Sequence, residues 1–128
     1  MAGVVVDSSV LIDHLRGDAS ATGFLEKERD RGPVLVPALA AWELWKGATT
    51  ARRRAGVHDL LSSVEVDPFG PAMAQLAGEL HTRLAASGRA PPSYDLLIAS
   101  HALLRGLPLA TRDRDYSAIP SLQIVRVD

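Results

Sequence analysis

Residues 4–12 read VVVDSSVLI, three valines that end at an acid and are followed by apolar residues at helical spacing. The β-branched valines predict a buried strand. Asp7 and the serines after it are typical of a helix N-terminus, because their side-chain oxygens accept hydrogen bonds from free backbone N–H groups. The stretch therefore predicts a strand that leads directly into a helix, the repeating unit of a parallel α/β sheet.

The same alternation continues along the rest of the chain. Further strands are predicted at residues 34–36, 64–67, 107–111 and 123–127, and further helices at residues 18–31, 38–46, 51–62, 70–86 and 95–105. This order predicts an α/β fold with a mostly parallel central sheet covered by helices on both faces, a three-layer α/β/α arrangement. A chain of 128 residues suits one hydrophobic core, so we expect a single domain over residues 1–128.

The composition excludes several kinds of site. The chain has no cysteine, which excludes disulfides, thiolate zinc sites, iron–sulfur clusters and cysteine nucleophiles. No apolar run approaches the roughly 18 residues that cross a bilayer, and an acid stands too early for a secretory signal, so we expect a soluble, cytoplasmic protein without a membrane partner. The formal net charge of -1 gives no overall attraction to nucleic acid, so a polyanion must be held by a local patch or by metal ions.

Four acids stand at or near the ends of predicted elements. Asp7 follows the first strand, and Glu43 lies two turns into the helix after the second strand. Asp95 opens the helix that precedes the fourth strand, and Asp113 follows that strand. Ligands of open α/β sheets bind at the carboxyl ends of the strands, so these acids are candidates for one site. Each also has a structural interpretation, as a helix cap, a turn residue or a solvent-facing side chain.

Two observations favour a shared site. Glu43 is the only charged residue between Ala38 and Trp45, and Asp95 likewise precedes an apolar stretch. Carboxylates that converge to about 4 Å repel one another by roughly 4 kcal/mol at an effective dielectric constant of about 20, so such a cluster needs a cation. Oxygen ligands, and four histidines that match no zinc spacing, favour Mg²⁺ or Mn²⁺ over zinc.

Three motifs and one isolated acid form a recognisable pattern. They are VVVDSSVLI at residues 4–12, Glu43, DLLIASHA at residues 95–102 and LATRDRDY at residues 109–116. In order and spacing they resemble the PIN-domain family over essentially the whole chain, and most closely its VapC toxin ribonucleases. Tyr116 stands where phenylalanine is commoner and Ser100 where alanine is frequent, and neither departure changes an acid.

The resemblance implies a PIN-like fold and an endoribonuclease that depends on Mg²⁺ or Mn²⁺. Its acidic pocket would be formed by Asp7, Glu43, Asp95 and Asp113. Asp7 and Asp95 would be the principal metal ligands, and the other two acids would complete or orient the site. The resemblance also implies a toxin of a toxin–antitoxin system that inhibits translation, a cognate VapB-type antitoxin whose C-terminal segment reaches the pocket, and a homodimer.

Five further residues are candidates for supporting roles. Ser9 and Thr111 match hydroxyl positions that bond to the acids or to substrate phosphate, although they could equally satisfy the local backbone. Asp115 would be a supporting acid of the pocket or a cap for the short turn that follows it. Arg112 and Arg114 flank the fourth acid and could contact an RNA backbone.

Other conspicuous side chains have structural interpretations. We expect Trp42 and Trp45 to pack in the core, with an association surface as the alternative. Asp13 and Arg16 have the spacing of a surface ion pair on the first helix. His101, in an apolar helix, is expected to be a core residue with its hydrogen bonds satisfied.

Three other protein classes fit the sequence less well. A phosphoacceptor receiver domain needs a lysine late in the chain, whereas the only lysines are Lys27 and Lys46. A haloacid-dehalogenase-type phosphatase needs an acid two residues after its first aspartate, where Ser9 stands. A PIN-like module that binds RNA or protein without cutting it is the remaining alternative, and the presence of all four acids argues against it.

Overall fold

The computed structural model describes residues 2–128. Its strands are β1 (Val4–Val6), β2 (Val34–Pro37), β3 (Glu65–Asp67), β4 (Leu109–Thr111) and β5 (Ile124–Arg126). Its helices are α1 (Ser8–Leu15), α2 (Ala19–Arg31), α3 (Ala38–Gly47), α4 (Ala51–Ser62), α5 (Pro71–Ala86), α6 (Ser93–Arg105) and a 3₁₀-helix (Asp115–Ala118). The predicted strands and helices are therefore confirmed in their order and type.

The strands form one sheet in the order β3-β2-β1-β4-β5, and every pairing is parallel. Val5 of the central strand pairs with Leu35 on one side and with Leu109 on the other. The chain winds outward from β1 in one direction through β2 and β3, and in the other through β4 and β5. The winding therefore reverses between β1 and β4, and a crevice at their carboxyl ends is the expected ligand site of such a sheet.

Both faces of the sheet are covered. Val4, Val5 and Val6 are all buried, although successive side chains of a strand point to opposite faces. A continuous apolar strand of this kind needs helices on either side, which confirms the three-layer α/β/α arrangement. Within residues 2–128, no helix combines the length and the hydropathy needed to cross a membrane.

Several element boundaries differ from the sequence-based predictions because of prolines. Helix α6 begins at Ser93, directly after Pro92, so Asp95 lies inside the first turn and does not open the helix. Pro92 occupies the cap position with an extended conformation and makes no side-chain cap bond. Strand β4 begins at Leu109 and not two residues earlier, because Pro108 has no N–H to donate to the ladder.

The two tryptophans are exposed, which contradicts the expectation that they belong to the core. Helix α3 buries Ala40, Ala41 and Leu44, and the tryptophans project from other sides of the helix. Trp42 is 53% and Trp45 42% exposed. The ammonium of the following lysine lies 4.5 Å from the centre of the Trp42 ring, within the range of a cation–π interaction.

A buried ionic network joins β3 to α6. Asp67, at the end of β3, accepts hydrogen bonds from Nδ1 of His101 at 2.8 Å and from Nη2 and Nε of Arg105 at 2.5 Å and 3.2 Å. His101 is fully buried, as predicted, but only one of its ring nitrogens has a partner among residues 2–128. Burial raises the pKa of Asp67, and the hydrogen bonds from Arg105 and His101 outweigh it and hold that pKa below its usual value.

Candidate active site

Asp7 lies at the carboxyl end of the central strand, in the crevice between β1 and β4. Its Oδ1 accepts hydrogen bonds from the backbone N–H of Ser9 at 3.0 Å and from Oγ of Ser9 at 2.5 Å. Its Oδ2 accepts a hydrogen bond from the hydroxyl of Thr111 on the neighbouring strand. Asp7 is thus both the cap of α1 and a buried acid fixed by two hydroxyls.

Burial raises the pKa of Asp7, and the hydrogen bonds from Ser9 and Thr111 oppose that rise. The two hydroxyls therefore stabilise the charged form of a carboxylate that has little contact with solvent. Thr111 serves a second acid as well, because its Oγ1 accepts a hydrogen bond from the N–H of Asp113 at 2.9 Å.

Replacing Thr111 with valine tests this arrangement directly. Valine keeps the shape of the side chain but removes the donor to Asp7, so we expect the pKa of Asp7 to rise further above its ordinary value. An NMR titration of the Asp7 carboxyl carbon measures this change. Thr82→Val, at an exposed threonine of α5, serves as the control and should leave the titration unchanged. A lower or unaltered Asp7 pKa in Thr111→Val would contradict the assigned role of the hydroxyl.

Three carboxylates converge beside this position. Asp95, Asp113 and Asp115 each place one oxygen within 4.8 Å of the others. Asp95 is buried in the first turn of α6, Asp113 is half-buried after β4, and Asp115 is exposed. The N–H of Asp115 donates to Oδ1 of Asp113 at 2.9 Å, which holds the last two acids in one turn. Asp115 is therefore a member of the cluster, and its side chain does not cap the 3₁₀-helix.

Burial and the repulsion among these carboxylates raise the pKa of Asp95. Burial, followed by the charges of Asp113, Asp115, Asp7 and Glu43, raises the pKa of Asp95 to about 6. Its Oδ2 is buried and has no hydrogen-bond partner within the part of the chain that the structure describes. A buried acceptor without a partner, facing other carboxylates, is suited to a cation.

Glu43 contributes charge to the site but stands apart from the three converging carboxylates. It is half-buried in the second turn of α3, and its charge raises the pKa of both Asp95 and Tyr94. On its other side it lines a groove of about 560 Å³ between α1, α3 and α4, beside Arg16 and Arg52. The structure thus brings Glu43 to the edge of the pocket.

Tyr94 belongs to the same pocket, although the sequence analysis did not single it out. Burial and the charge of Glu43 raise the pKa of its hydroxyl, and the charges of Asp7 and Asp95 add to the rise. The phenol therefore remains protonated and can act only as a neutral hydrogen-bonding group. Its position directly before Asp95 was the one available signal in the sequence.

The two arginines beside Asp113 have different environments. Arg112 donates from Nη1 to Asp13 at 2.7 Å and also to Asp18, so its guanidinium binds acids of this chain. This contact also corrects the expected pairing of Asp13 with Arg16 on α1. Arg114 is exposed and forms no salt bridge among residues 2–128, so it remains accessible to an RNA backbone.

The donor set fits a hard divalent cation. Three carboxylates converge, one of them with an unpartnered oxygen, and such ligands are typical of Mg²⁺ and Mn²⁺. Both oxygens of Asp7 already accept hydrogen bonds from hydroxyls. The assignment of Asp7 and Asp95 as principal ligands stays a prediction, and the geometry adds Asp113 and Asp115 as ligand candidates.

Comparison with known proteins agrees with this geometry. The family model described as PIN domain matches residues 4–122. Ribonuclease VapC10 of Mycobacterium tuberculosis is 39% identical over 108 residues, which cover 84% of this chain and 80% of that protein. The tRNA(fMet)-specific endonuclease VapC of Salmonella typhimurium is 32% identical over 96 residues, which cover 71% of this chain and 73% of that protein.

Solved structures show the same fold. The crystal structure of DNA-bound VapBC from Salmonella typhimurium contains a chain with a TM-score of 0.89 and 25% identity, and the match covers 100% of both chains. VapBC-5 from Mycobacterium tuberculosis matches with a TM-score of 0.74 and 28% identity over 99% of this chain and 100% of that chain. Together with the acids at the carboxyl edge of the sheet, these likenesses show that the chain belongs to the PIN domain family and, within it, to the VapC ribonucleases.

Proposed function

We propose that the chain is an endoribonuclease that hydrolyses RNA phosphodiester bonds with the help of Mg²⁺ or Mn²⁺. The observation that carries the proposal is the convergence of Asp95, Asp113 and Asp115 beside Asp7, at the sheet edge where α/β proteins bind ligands. The membership of the VapC ribonucleases supplies the substrate class. A module that binds RNA without cutting it has no use for carboxylates that converge in this way.

Asp7 and Asp95 would be the principal ligands of the cation, with Asp113 and Asp115 as further ligands and Glu43 supplying additional negative charge. When bound there, a divalent cation supplies Lewis-acid activation of water and neutralises charge on the scissile phosphate. Above about pH 7 Asp95 is largely ionised, because its pKa is about 6, and its Oδ2 is then a free acceptor. Ser9 and Thr111 keep Asp7 in one orientation throughout.

Water is the proposed attacking group, because the pocket presents carboxylates and the chain has no cysteine. Water gives up one proton to the solvent, and the bond between its oxygen and phosphorus forms while the bond between phosphorus and the 3′ oxygen of the ribose breaks. The 3′ oxygen takes up a proton from the solvent, so the net reaction consumes one water. The products are a 3′-hydroxyl and a 5′-phosphate. Arg114, exposed at the edge of the pocket, offers a contact for a neighbouring phosphate.

A VapB-type antitoxin is the proposed protein partner, since the structural relatives are VapBC complexes. A basic segment entering the pocket would satisfy the unpartnered carboxylate of Asp95 and relieve the repulsion that raises its pKa. Inhibition of translation through RNA cleavage, a cytoplasmic location, a homodimer and a single domain over residues 1–128 complete the proposal.

The test is cleavage of a mixed cellular RNA pool by the purified chain. We expect no cleavage after chelation of metal with EDTA, and recovery when Mg²⁺ or Mn²⁺ is added in excess. Sequencing of the new RNA ends should show 5′-phosphates at a few defined positions. Cleavage that persists in EDTA, or products that end in a 2′,3′-cyclic phosphate, would contradict the proposed chemistry.

A further inference from the structure

Arg112 is the centre of a cluster that is separate from the acid pocket. Its Nη1 donates to Oδ2 of Asp13 at 2.7 Å and also to Asp18, and its Nε donates to the carbonyl of Val127 at 3.0 Å. The side chain is only 21% exposed, and its Nη2 is buried without a partner among residues 2–128. The guanidinium thus ties the segment after β4 to α1, to the N-cap residue of α2 and to the segment after β5.

The backbone of Arg112 reaches the pocket from the other side. Its N–H donates to Oγ of Ser9 at 3.0 Å, and that hydroxyl donates to Oδ1 of Asp7 at 2.5 Å. The residues on either side of Arg112 are joined as well, because the N–H of Asp113 donates to Oγ1 of Thr111 at 2.9 Å. A continuous chain of hydrogen bonds therefore runs from the guanidinium cluster through the peptide of Arg112 to Asp7.

The position of Asp113 depends on this peptide. Asp113 follows β4 on a short turn, and it belongs to a cluster in which three carboxylates repel one another. Such a turn would relax away from the other acids unless something outside the cluster held it. Arg112, one residue earlier, provides that restraint through contacts to Asp13, Asp18 and Val127 that do not involve the pocket.

We propose that Arg112 is a positioning residue, whose clamped guanidinium holds the turn after β4 so that Asp113 faces Asp95 and Asp115. The inference rests on the proposed nuclease function, and it replaces the sequence-based expectation that Arg112 contacts RNA. A group that orients a metal ligand from outside the site is typically worth about 10- to 100-fold in metal affinity or in activity. The effect should fall on the chemical step, because the guanidinium is already bound to Asp13, Asp18 and the carbonyl of Val127.

The experiment compares Arg112→Gln with Arg126→Gln in the full chain. Arg126 pairs with Thr111 across the sheet, is exposed and has no salt bridge within the described residues, so its replacement removes the same charge without the clamp. We expect Arg112→Gln to lower kcat by roughly 10- to 100-fold with KM changed by less than about threefold, and Arg126→Gln to leave kcat unchanged.

A second measurement, Mn²⁺ affinity by electron paramagnetic resonance in the absence of RNA, is independent of cleavage. Arg112→Gln should weaken Mn²⁺ binding by about 10-fold. A pure charge effect has the opposite sign, because removal of a cation near three carboxylates strengthens their attraction for Mn²⁺. Weaker binding in Arg112→Gln, with unchanged or tighter binding in Arg126→Gln, therefore reports the loss of position and not the loss of charge.

The outcomes separate the two proposals. An increased KM at unchanged kcat would make Arg112 an RNA contact and overturn the positioning role, as would unaltered kinetics. If the unmodified chain does not cleave RNA, the proposed function fails, and the Mn²⁺ affinities alone decide the positioning role. If Arg112→Gln does not fold, Asp18→Asn takes its place. Asparagine still caps α2, but it lacks the negative charge that binds the guanidinium of Arg112. We expect kcat and Mn²⁺ affinity each to fall by about 3- to 10-fold.

Discussion

Asp95→Asn is expected to abolish cleavage and, at the same time, to stabilise the metal-free protein. Asparagine offers one weak carbonyl ligand in place of a carboxylate, so we expect the rate to fall by at least about 1,000-fold. The gain in stability has a separate origin. Burial and four neighbouring acids raise the pKa of Asp95 to about 6, which means that its charged form opposes folding when no cation is bound.

The pH dependence follows from the direction of this shift. Between about pH 4 and pH 6 the folded protein holds a proton on Asp95 that the unfolded chain releases, so the free energy of unfolding decreases as the pH rises through this range. Above about pH 7 this loss of stability is complete, and it is on the order of 1 to 2 kcal/mol after allowance for partial solvent screening. Asp95→Asn should therefore exceed the unmodified chain in Tm at pH 7.5 and match it near pH 4.

The measurement is thermal unfolding in EDTA at several pH values, beside the RNA cleavage assay. Asp59→Asn is the matched control, because the Asp59 side chain is 85% exposed on α4 and should affect neither quantity. A lower Tm for Asp95→Asn at pH 7.5 in EDTA would show that Asp95 has a stabilising partner in the metal-free fold. Retention of more than about a tenth of the cleavage rate would remove Asp95 from the metal site.

The convergence of the acids could be predicted from the sequence because it depends on topology. Parallel strands end at the same edge, so Asp7 after β1 and Asp113 after β4 had to be near each other once the sheet was parallel. Asp95 follows from the same logic, since α6 runs back from that edge to feed β4. Local sequence was enough to predict these three acids, because each lies at or near the end of a strand or helix.

Other features could not be predicted because they depend on contacts between distant parts of the chain. Arg112 pairs with Asp13 and Asp18, which lie 99 and 94 residues away, whereas the spacing of Asp13 on its own helix favoured Arg16. The exposure of Trp42 likewise depends on which face of α3 the neighbouring elements cover, and the hydrophobicity of the residue gives no hint of it. Pairing partners and helix orientation therefore came only from the folded structure.

The buried acid of β3 leads to the second large prediction, a loss of stability in Asp67→Ala. Removing the carboxylate leaves Nδ1 of His101 and the guanidinium of Arg105 without their shared acceptor. Leaving Nδ1 of the fully buried His101 without an acceptor costs about 1 to 3 kcal/mol, and the guanidinium of Arg105 adds little because its side chain is 44% exposed and water can solvate it. We therefore expect Tm to fall by roughly 5 to 10 °C for a domain of this size. Glu65→Ala, at an exposed acid two residues earlier on the same strand, should change Tm by far less.

The change in the free energy of unfolding at acid pH tests whether the charge of Asp67 is what stabilises the fold. Hydrogen bonds from Arg105 and His101 hold the pKa of Asp67 below its usual value in spite of burial, so its contribution is complete above the pKa of the unfolded chain. The contribution is lost as the pH falls through the folded pKa. Asp67→Asn should accordingly lose less stability on acidification than the unmodified chain, and an equal loss in both would contradict the role of the charge.

The Asp67 network is expected to affect stability but not catalysis, because it holds helix α6 in place without contacting the carboxylate of Asp95. His101 and Arg105 lie further along α6 than Asp95, and they attach this helix to the edge strand of the sheet. At a temperature where Asp67→Ala remains folded, we expect cleavage within about threefold of the unmodified chain, since a purely structural change lowers the folded fraction and not kcat. A much larger loss in kcat at full folding would mean that β3 fixes the orientation of Asp95, and the network would then belong to the active site.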